Sequence, residues 1–135
     1  MKTLAVSLLL LLNGVIAHAE TPQQILQAYA AAAAAESPGF APSPERGSTL
    51  YHATFRNNDK LPSCSTCHTE RPTDQGKHAI TGKAIRPMAV SADSDRFTDP
   101  AKVEKWFGRN CKEIIGRACT AAEKADFIAY LSESR

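Results

Sequence analysis

Apolar positions along this chain recur mostly at helical intervals. Thr21-Pro22 reads as an N-cap with proline at the first helical position. Ile25, Leu26 and Tyr29 follow, and then Ala30 to Ala35 is an unbroken run of the strongest helix former. Ser37-Pro38-Gly39 stops it, so the pattern predicts a helix over Pro22–Glu36. Its apolar face is weak, which suggests a spacer helix lying on the domain rather than forming its core. Ser43 and Pro44 open a second helix over roughly 44–55, with Leu50, Tyr51 and Phe55 as a short apolar stripe. Asp99-Pro100 opens a third by the same cap-then-proline logic. Val103, Trp106 and Phe107 form its apolar face, and Gly108 is expected to end it. Thr120-Ala-Ala-Glu123 is a capping box opening a last helix from Ala121 to about Ser132, with Phe127, Ile128 and Leu131 on the buried side and Tyr130 beside them.

Between the second and third helices the pattern breaks down. From Thr69 to Thr98 the chain is polar, punctuated by Gly76, Gly82, Pro72 and Pro87, with no strand of any conviction. A structureless stretch this long in a compact domain is usually either functional or a misread element, and wrapping a cofactor would justify it. The fold class is all-α.

The N-terminus has a separate character. Lys2, the apolar run Leu4 to Leu12 and the Ala17-His18-Ala19 site read as a cleaved secretory signal peptide over residues 1–19. The core is shorter than the ~20 apolar residues a span needs, so no membrane span is expected after cleavage. The expected organisation is the signal, then an Ala-rich helix and linker over 20–40, then one small domain over 41–135. Export to the periplasm implies an oxidising compartment. Only Lys2 is charged within the signal, so 16 basic residues become 15 against 14 acidic ones. That balance shows no basic stripe for nucleic acid. With aromatics at only 7%, the core is modest, and a large apolar cofactor would help it.

The chemistry centres on Cys64-Ser-Thr-Cys67-His68. Structural zinc needs a second close ligand pair. The remaining cysteines, Cys111 and Cys119, are poorly spaced for one. A dithiol redox motif needs a βαβ setting, which is absent from the pattern. Covalent haem needs only these five residues and export: Cys64 and Cys67 add to the two vinyl groups and His68 becomes the proximal iron ligand. The cofactor expected is one covalent haem c. Cys111 and Cys119 are then left to form a disulfide, the default for an exported pair. Candidates for the opposite face of the iron are Met88, His52, His78, several lysines and Asn110. Met88 is the only methionine outside the leader and the ordinary choice for an electron carrier, though it could equally be a packing residue at the haem edge.

The segment Lys105-Trp106-Phe107, Arg109-Asn110-Cys111, Gly116-Arg117, Cys119-Thr120 and Glu123-Lys124 resembles the family of the sphaeroides haem protein, small oxygen-binding cytochromes c. The likeness runs from about Gly47 to Leu131. More broadly, Gly47 with Tyr51, the CxxCH motif, and the closing helix around Phe127 and Tyr130 resemble class I cytochromes c, whose first and last helices cross. The resemblance implies a small cytochrome c-like helical fold around the haem. It also implies Asn110 as the distal ligand, beside the first cysteine of a small disulfide loop, leaving the iron on reduction. Otherwise Asn110 would be a helix C-cap after Gly108. One departure is Lys83 after Gly82, where class I proteins usually carry a proline whose carbonyl accepts from the proximal imidazole, so the partner of His68 Nδ1 stays open. The function implied is one-electron transfer, with another cytochrome c or a membrane cytochrome as donor and a diatomic gas (O2, NO or CO) as ligand of the reduced form. A plain carrier with His68 and Met88 ligation is the alternative. An enzyme reducing O2 or NO ranks last, because no distal acid or base stands out.

Overall fold

The computed structural model describes residues 19–135, and the expected signal peptide lies outside them except for its last residue. Five helices and one short two-stranded ladder make up the described chain: α1 (Pro22–Glu36), α2 (Pro44–His52), α3 (Ser65–His68), β1 (Gly76–Lys77), β2 (Ala84–Ile85), α4 (Pro100–Ile114) and α5 (Ala121–Glu133). The described chain is all-α apart from that ladder, as the pattern predicts. The four longer helices are N-capped by side chains bonded to backbone N–H groups: Thr21 to Gln24, Ser43 to Arg46, Asp99 to Lys102 and Thr120 to Glu123. The first and last of these are full capping boxes.

The frame is the crossing of α2 on α5. It depends on Gly47, where a Cβ would lie 2.0 Å from the Asp126 carbonyl oxygen and 2.8 Å from Tyr130 Cβ. Only a residue without a side chain allows that approach. Asp126 then ties the two helices electrostatically. Its buried carboxylate accepts from Arg46 Nε at 2.7 Å, from Arg46 Nη2 at 2.8 Å and from the Ser43 backbone N–H at 2.7 Å. Tyr51, fully buried, stacks near Phe127 and Tyr130, and Phe107 meets Phe127 edge-on at 5.7 Å.

Three elements differ from the sequence expectation. The alanine-rich α1 is no spacer: Ile25 and Leu26 belong to the core cluster, Ala33 is buried, and α1 packs along α5. Its alanines favour helix formation, and at Ala33 a small side chain is itself buried. Second, α4 does not stop at Gly108. Val103, Phe107, Cys111 and Ile114 continue one buried stripe through it, and a Cβ at Gly108 would meet nothing. The helix ends instead before Gly116, at φ +89°. Trp106, expected on the inner face, is 45% exposed because it falls off that stripe. Third, the polar stretch holds a small hairpin, Gly76 opposite Ile85 and Lys77 opposite Ala84, while α2 ends at His52 rather than Phe55.

Candidate haem-binding site

The Cys64–His68 turn is locally built. Ser63 Oγ accepts from the Thr66 N–H at 3.1 Å, and the Cys64 carbonyl accepts from the N–H groups of Cys67 and His68 at 3.3 and 3.1 Å. The turn ends in a left-handed residue, Thr69 at φ +66°, an uncommon conformation for a β-branched side chain. Tyr51 holds it there. Its hydroxyl lies 2.9 Å from the His68 carbonyl oxygen and 2.8 Å from that of Thr69, a shared hydrogen bond. Burial pushes the Tyr51 phenol well above its usual range, so it stays protonated as the donor. The hairpin closes on the same turn: a Cβ at Gly76 would lie 2.3 Å from the Cys67 carbonyl oxygen, and the Ala79 N–H points at Cys67 Sγ at 3.3 Å.

Cys64, Cys67 and His68 line a cleft of about 440 Å³. Leu61, Phe97, Val103, Phe107 and Phe127 contribute its apolar wall. This is within the size range of cofactor sites. Among the described residues Cys64 and Cys67 are the two free cysteines. Burial pushes the Cys64 thiol up to about 11, keeping it a neutral thiol. Burial, and after it the charges of Arg96 and His78, push His68 down to about 4. Its imidazole is therefore neutral, the form that binds metal. His68 Nδ1 is buried and has no hydrogen-bond partner among the described residues, so no acceptor takes the place of the class I proline carbonyl there. Two thiols, a neutral imidazole and apolar walls around one cleft fit a covalently attached haem.

Both distal candidates line the same cleft. Asn110 lines it from α4, in mid-helix rather than at a C-cap, and its side-chain amide is engaged in no hydrogen bond among the described residues. The next residue, Cys111, is bonded to Cys119 across a separation of 8 residues. Met88 also lines the cleft, with its backbone N–H bonded to the Pro72 carbonyl at 2.8 Å. His78 lines it too, but its Nδ1 accepts from the N–H groups of Ile80 and Thr81 at 3.3 and 3.2 Å, within its own hairpin. His52 is not brought to the cleft. It stays on α2, with Nδ1 2.8 Å from the Ser48 carbonyl and Nε2 3.1 Å from that of Glu70.

Two site features escaped the sequence. Arg96 lines the cleft, donates to the backbone carbonyls of Pro87 and Arg86 at 2.8 and 2.7 Å, and pairs with buried Asp93 at 3.2 Å. It thereby clamps the strand of chain leading to Met88. In a polar loop without periodicity no signal marks such a residue. The Tyr51 hydroxyl was the other, since the apolar stripe accounts for the ring and says nothing of the oxygen.

The chain matches the family described as "Domain of unknown function (DUF1924)" over residues 38–131. It is 47% identical over 113 residues to the cytochrome c-type protein SHP of Cereibacter sphaeroides, covering 83% of each chain. It is 36% identical over 118 residues to cytochrome c'' of Methylophilus methylotrophus, covering 86% of this chain and 82% of that one. Among solved structures, that of oxidised SHP, described as an oxygen-binding cytochrome c, aligns with a TM-score of 0.77 at 46% identity over 84% of this chain and 96% of the other. Oxidised cytochrome c'' aligns at 0.78 with 36% identity over 84% and 94%. A solution structure of cytochrome c'', concerned with the structural basis of haem-ligand detachment, aligns at 0.74 with 36% identity over 84% and 94%.

Proposed function

Because this chain belongs to the DUF1924 family and to the SHP-like c-type cytochromes, we propose that it is an exported one-electron carrier with a releasable distal ligand. It is a c-type cytochrome, and its cofactor is one covalently bound haem c. Cys64 and Cys67 are assigned as its thioether anchors and His68 as the proximal iron ligand. When bound, the haem would supply a one-electron couple and an iron able to take a second protein ligand besides His68. Asn110 would be that ligand in the oxidised protein and would withdraw in the reduced one, leaving room for a diatomic ligand. The observation that carries this reading is that Asn110 faces the cleft of His68 with its amide uncommitted, beside a disulfide.

The chemistry supports release from Asn110. A neutral amide is a weak, hard ligand that holds the higher charge better than the lower. The Cys111–Cys119 bond fixes the neighbouring backbone, so release is a side-chain swing and not an unfolding of α4. The oxygen binding of SHP and the ligand detachment studied in cytochrome c'' agree with the same behaviour. The leader over residues 1–19 would deliver the chain to the periplasm, where a second cytochrome c or a membrane cytochrome would be its donor. Among the described residues no helix is long and apolar enough to cross a membrane.

A second reading keeps Met88 as a permanent ligand, favoured by its place on the same cleft. Spectroscopy of the purified holoprotein separates the two. With Asn110 as ligand, the ferric protein lacks the near-infrared sulfur-to-iron band and the ferrous protein takes up CO rapidly. Asn110→Ala changes the ferric spectrum to that of a water or hydroxide ligand. A ferrous protein indifferent to CO, with the sulfur band present, assigns Met88 instead.

A further inference from the structure

The last turn of α4, which begins at Cys111, the residue after Asn110, ends with carbonyls that no later turn of helix can satisfy. Asn57 satisfies two of them from outside the helix. Its Nδ2 donates to the Glu113 carbonyl at 2.9 Å and to the Lys112 carbonyl at 3.2 Å. The fit is tight on the other side as well. A Cβ at Gly116 would lie 2.7 Å from Asn57 Oδ1, and Gly116 has φ +89°. The glycine after the helix therefore leaves room for this particular amide.

Asn57 does not float. It lies in the loop between α2 and the haem motif, closed by Phe55 N–H to the Pro62 carbonyl at 2.7 Å and Leu61 N–H to the Asn58 carbonyl at 3.0 Å. Leu61 is buried, and Pro62 is followed by Ser63, which caps the Cys64–His68 turn. One end of this link is thus the proximal anchor and the other is the last turn of α4, which directly follows Asn110.

We propose that Asn57, seated against Gly116, is a positioning residue that sets how readily Asn110 leaves the iron. It holds the last turn of α4 at a set distance from the haem anchor, so that ligand loss is confined to the Asn110 side chain. This rests on the assignment of Asn110 above. Releasing the latch lets the turn move away from the anchor, and the distal position is then vacated more often in the oxidised protein.

The test is cyanide association with the ferric holoprotein, where Asn110 must leave first, compared with CO association to the ferrous form, where it has already left. Asn57→Asp keeps the size but replaces the donor by a carboxylate facing two carbonyls. Loss of those bonds is expected to speed cyanide association about threefold to tenfold, the range for one to two modest hydrogen bonds. The CO rate should stay within about twofold on the same reasoning. Gly116→Ala, which pushes on the amide from the other side, should act in the same direction and serves if Asn57→Asp loses its haem. In an Asn110→Ala background, Asn57→Asp should add nothing. Unchanged cyanide kinetics in both latch variants, whether or not their melting temperature falls, would overturn the latch while leaving Asn110 as ligand. If Asn110→Ala leaves the ferric spectrum unaltered, the ligand assignment itself falls and the latch with it.

Discussion

Gly47 of α2 passes so close to Asp126 of α5 that a single added carbon would sit 2.0 Å from the Asp126 carbonyl oxygen. That contact is backbone against backbone, so no side-chain rotation can relieve an alanine there. Gly47→Ala should force the helices apart, opening the packing of Tyr51 on Phe127 and Tyr130. Overpacking in a core typically costs about 1–3 kcal/mol and here has no outlet. Chemical denaturation of the holoprotein should show a loss at or above the top of that range, or no haem-loaded protein should be recovered. A variant as stable as the parent would mean that the crossing is looser than this.

Tyr51 links that crossing to the haem motif. Tyr51→Phe keeps the ring in the core but removes the hydroxyl that holds the carbonyls of His68 and Thr69. Leaving buried polar groups unpaired costs about 1–3 kcal/mol. The loss should appear as a lower unfolding midpoint. Because Thr69 would be free to relax from φ +66°, a shift in the reduction potential should accompany it. A pure packing role would move stability and leave the potential where it was.

The last helix should respond to acid in a defined direction. Hydrogen bonding to the Arg117 guanidinium, opposed by burial and reinforced by the capping box, holds the Glu123 carboxyl below its ordinary value. A carboxylate whose folded value is depressed contributes stability above the unfolded value, about 4.3, and loses that contribution as pH falls through the folded one. Stability measured from pH 6 down to pH 3 (about the span of carboxylate titration) should therefore fall less steeply in Glu123→Gln than in the parent. Equal slopes would show that this pair contributes nothing to acid sensitivity.

How much of this was legible depended on whether a feature is local. The capping residues Thr21, Ser43, Asp99 and Thr120 are read from neighbours in the chain, and the helix starts agree with them. CxxCH is equally local. Gly108 misled because glycine is a poor helix former in isolation, whereas the buried stripe through Cys111 and Ile114 carries α4 past it. Arg96 on its loop carbonyls, Asn57 on the end of α4 and Asp126 beneath Arg46 are separated in sequence from what they touch by up to 80 positions. No periodicity encodes such contacts, since they exist only once the helices have crossed.

The disulfide can be judged separately from the latch. Replacing Cys111 and Cys119 together by Ser removes an eight-residue closure, worth ~2–3 kcal/mol on the loop-entropy account. If the bond also steadies Asn110, the double variant should show faster ferric ligand exchange than its stability loss alone explains. Measuring both quantities in one protein distinguishes a staple from a support for the ligand.

The alanine-rich helix gives the final test, because its sequence and its packing point in opposite directions. As a spacer, α1 would tolerate any substitution that preserved helicity. In the fold, Ile25 and Leu26 are buried in the common core, and Tyr29 reaches across to α4, its hydroxyl donating to Glu104 at 2.7 Å. Lys124 of α5 meets the same carboxylate at 2.7 and 2.8 Å and sits 5.1 Å from the Tyr29 ring centroid, so three helices converge there. Ile25→Ala keeps helix propensity and removes only buried volume, at an expected cost of about 2–5 kcal/mol. Tyr29→Phe keeps the ring and removes one exposed hydrogen bond, for about 1 kcal/mol or less. Denaturant midpoints of the two variants should differ in that order. Ile25→Ala indistinguishable from the parent would make α1 the spacer that its composition resembles.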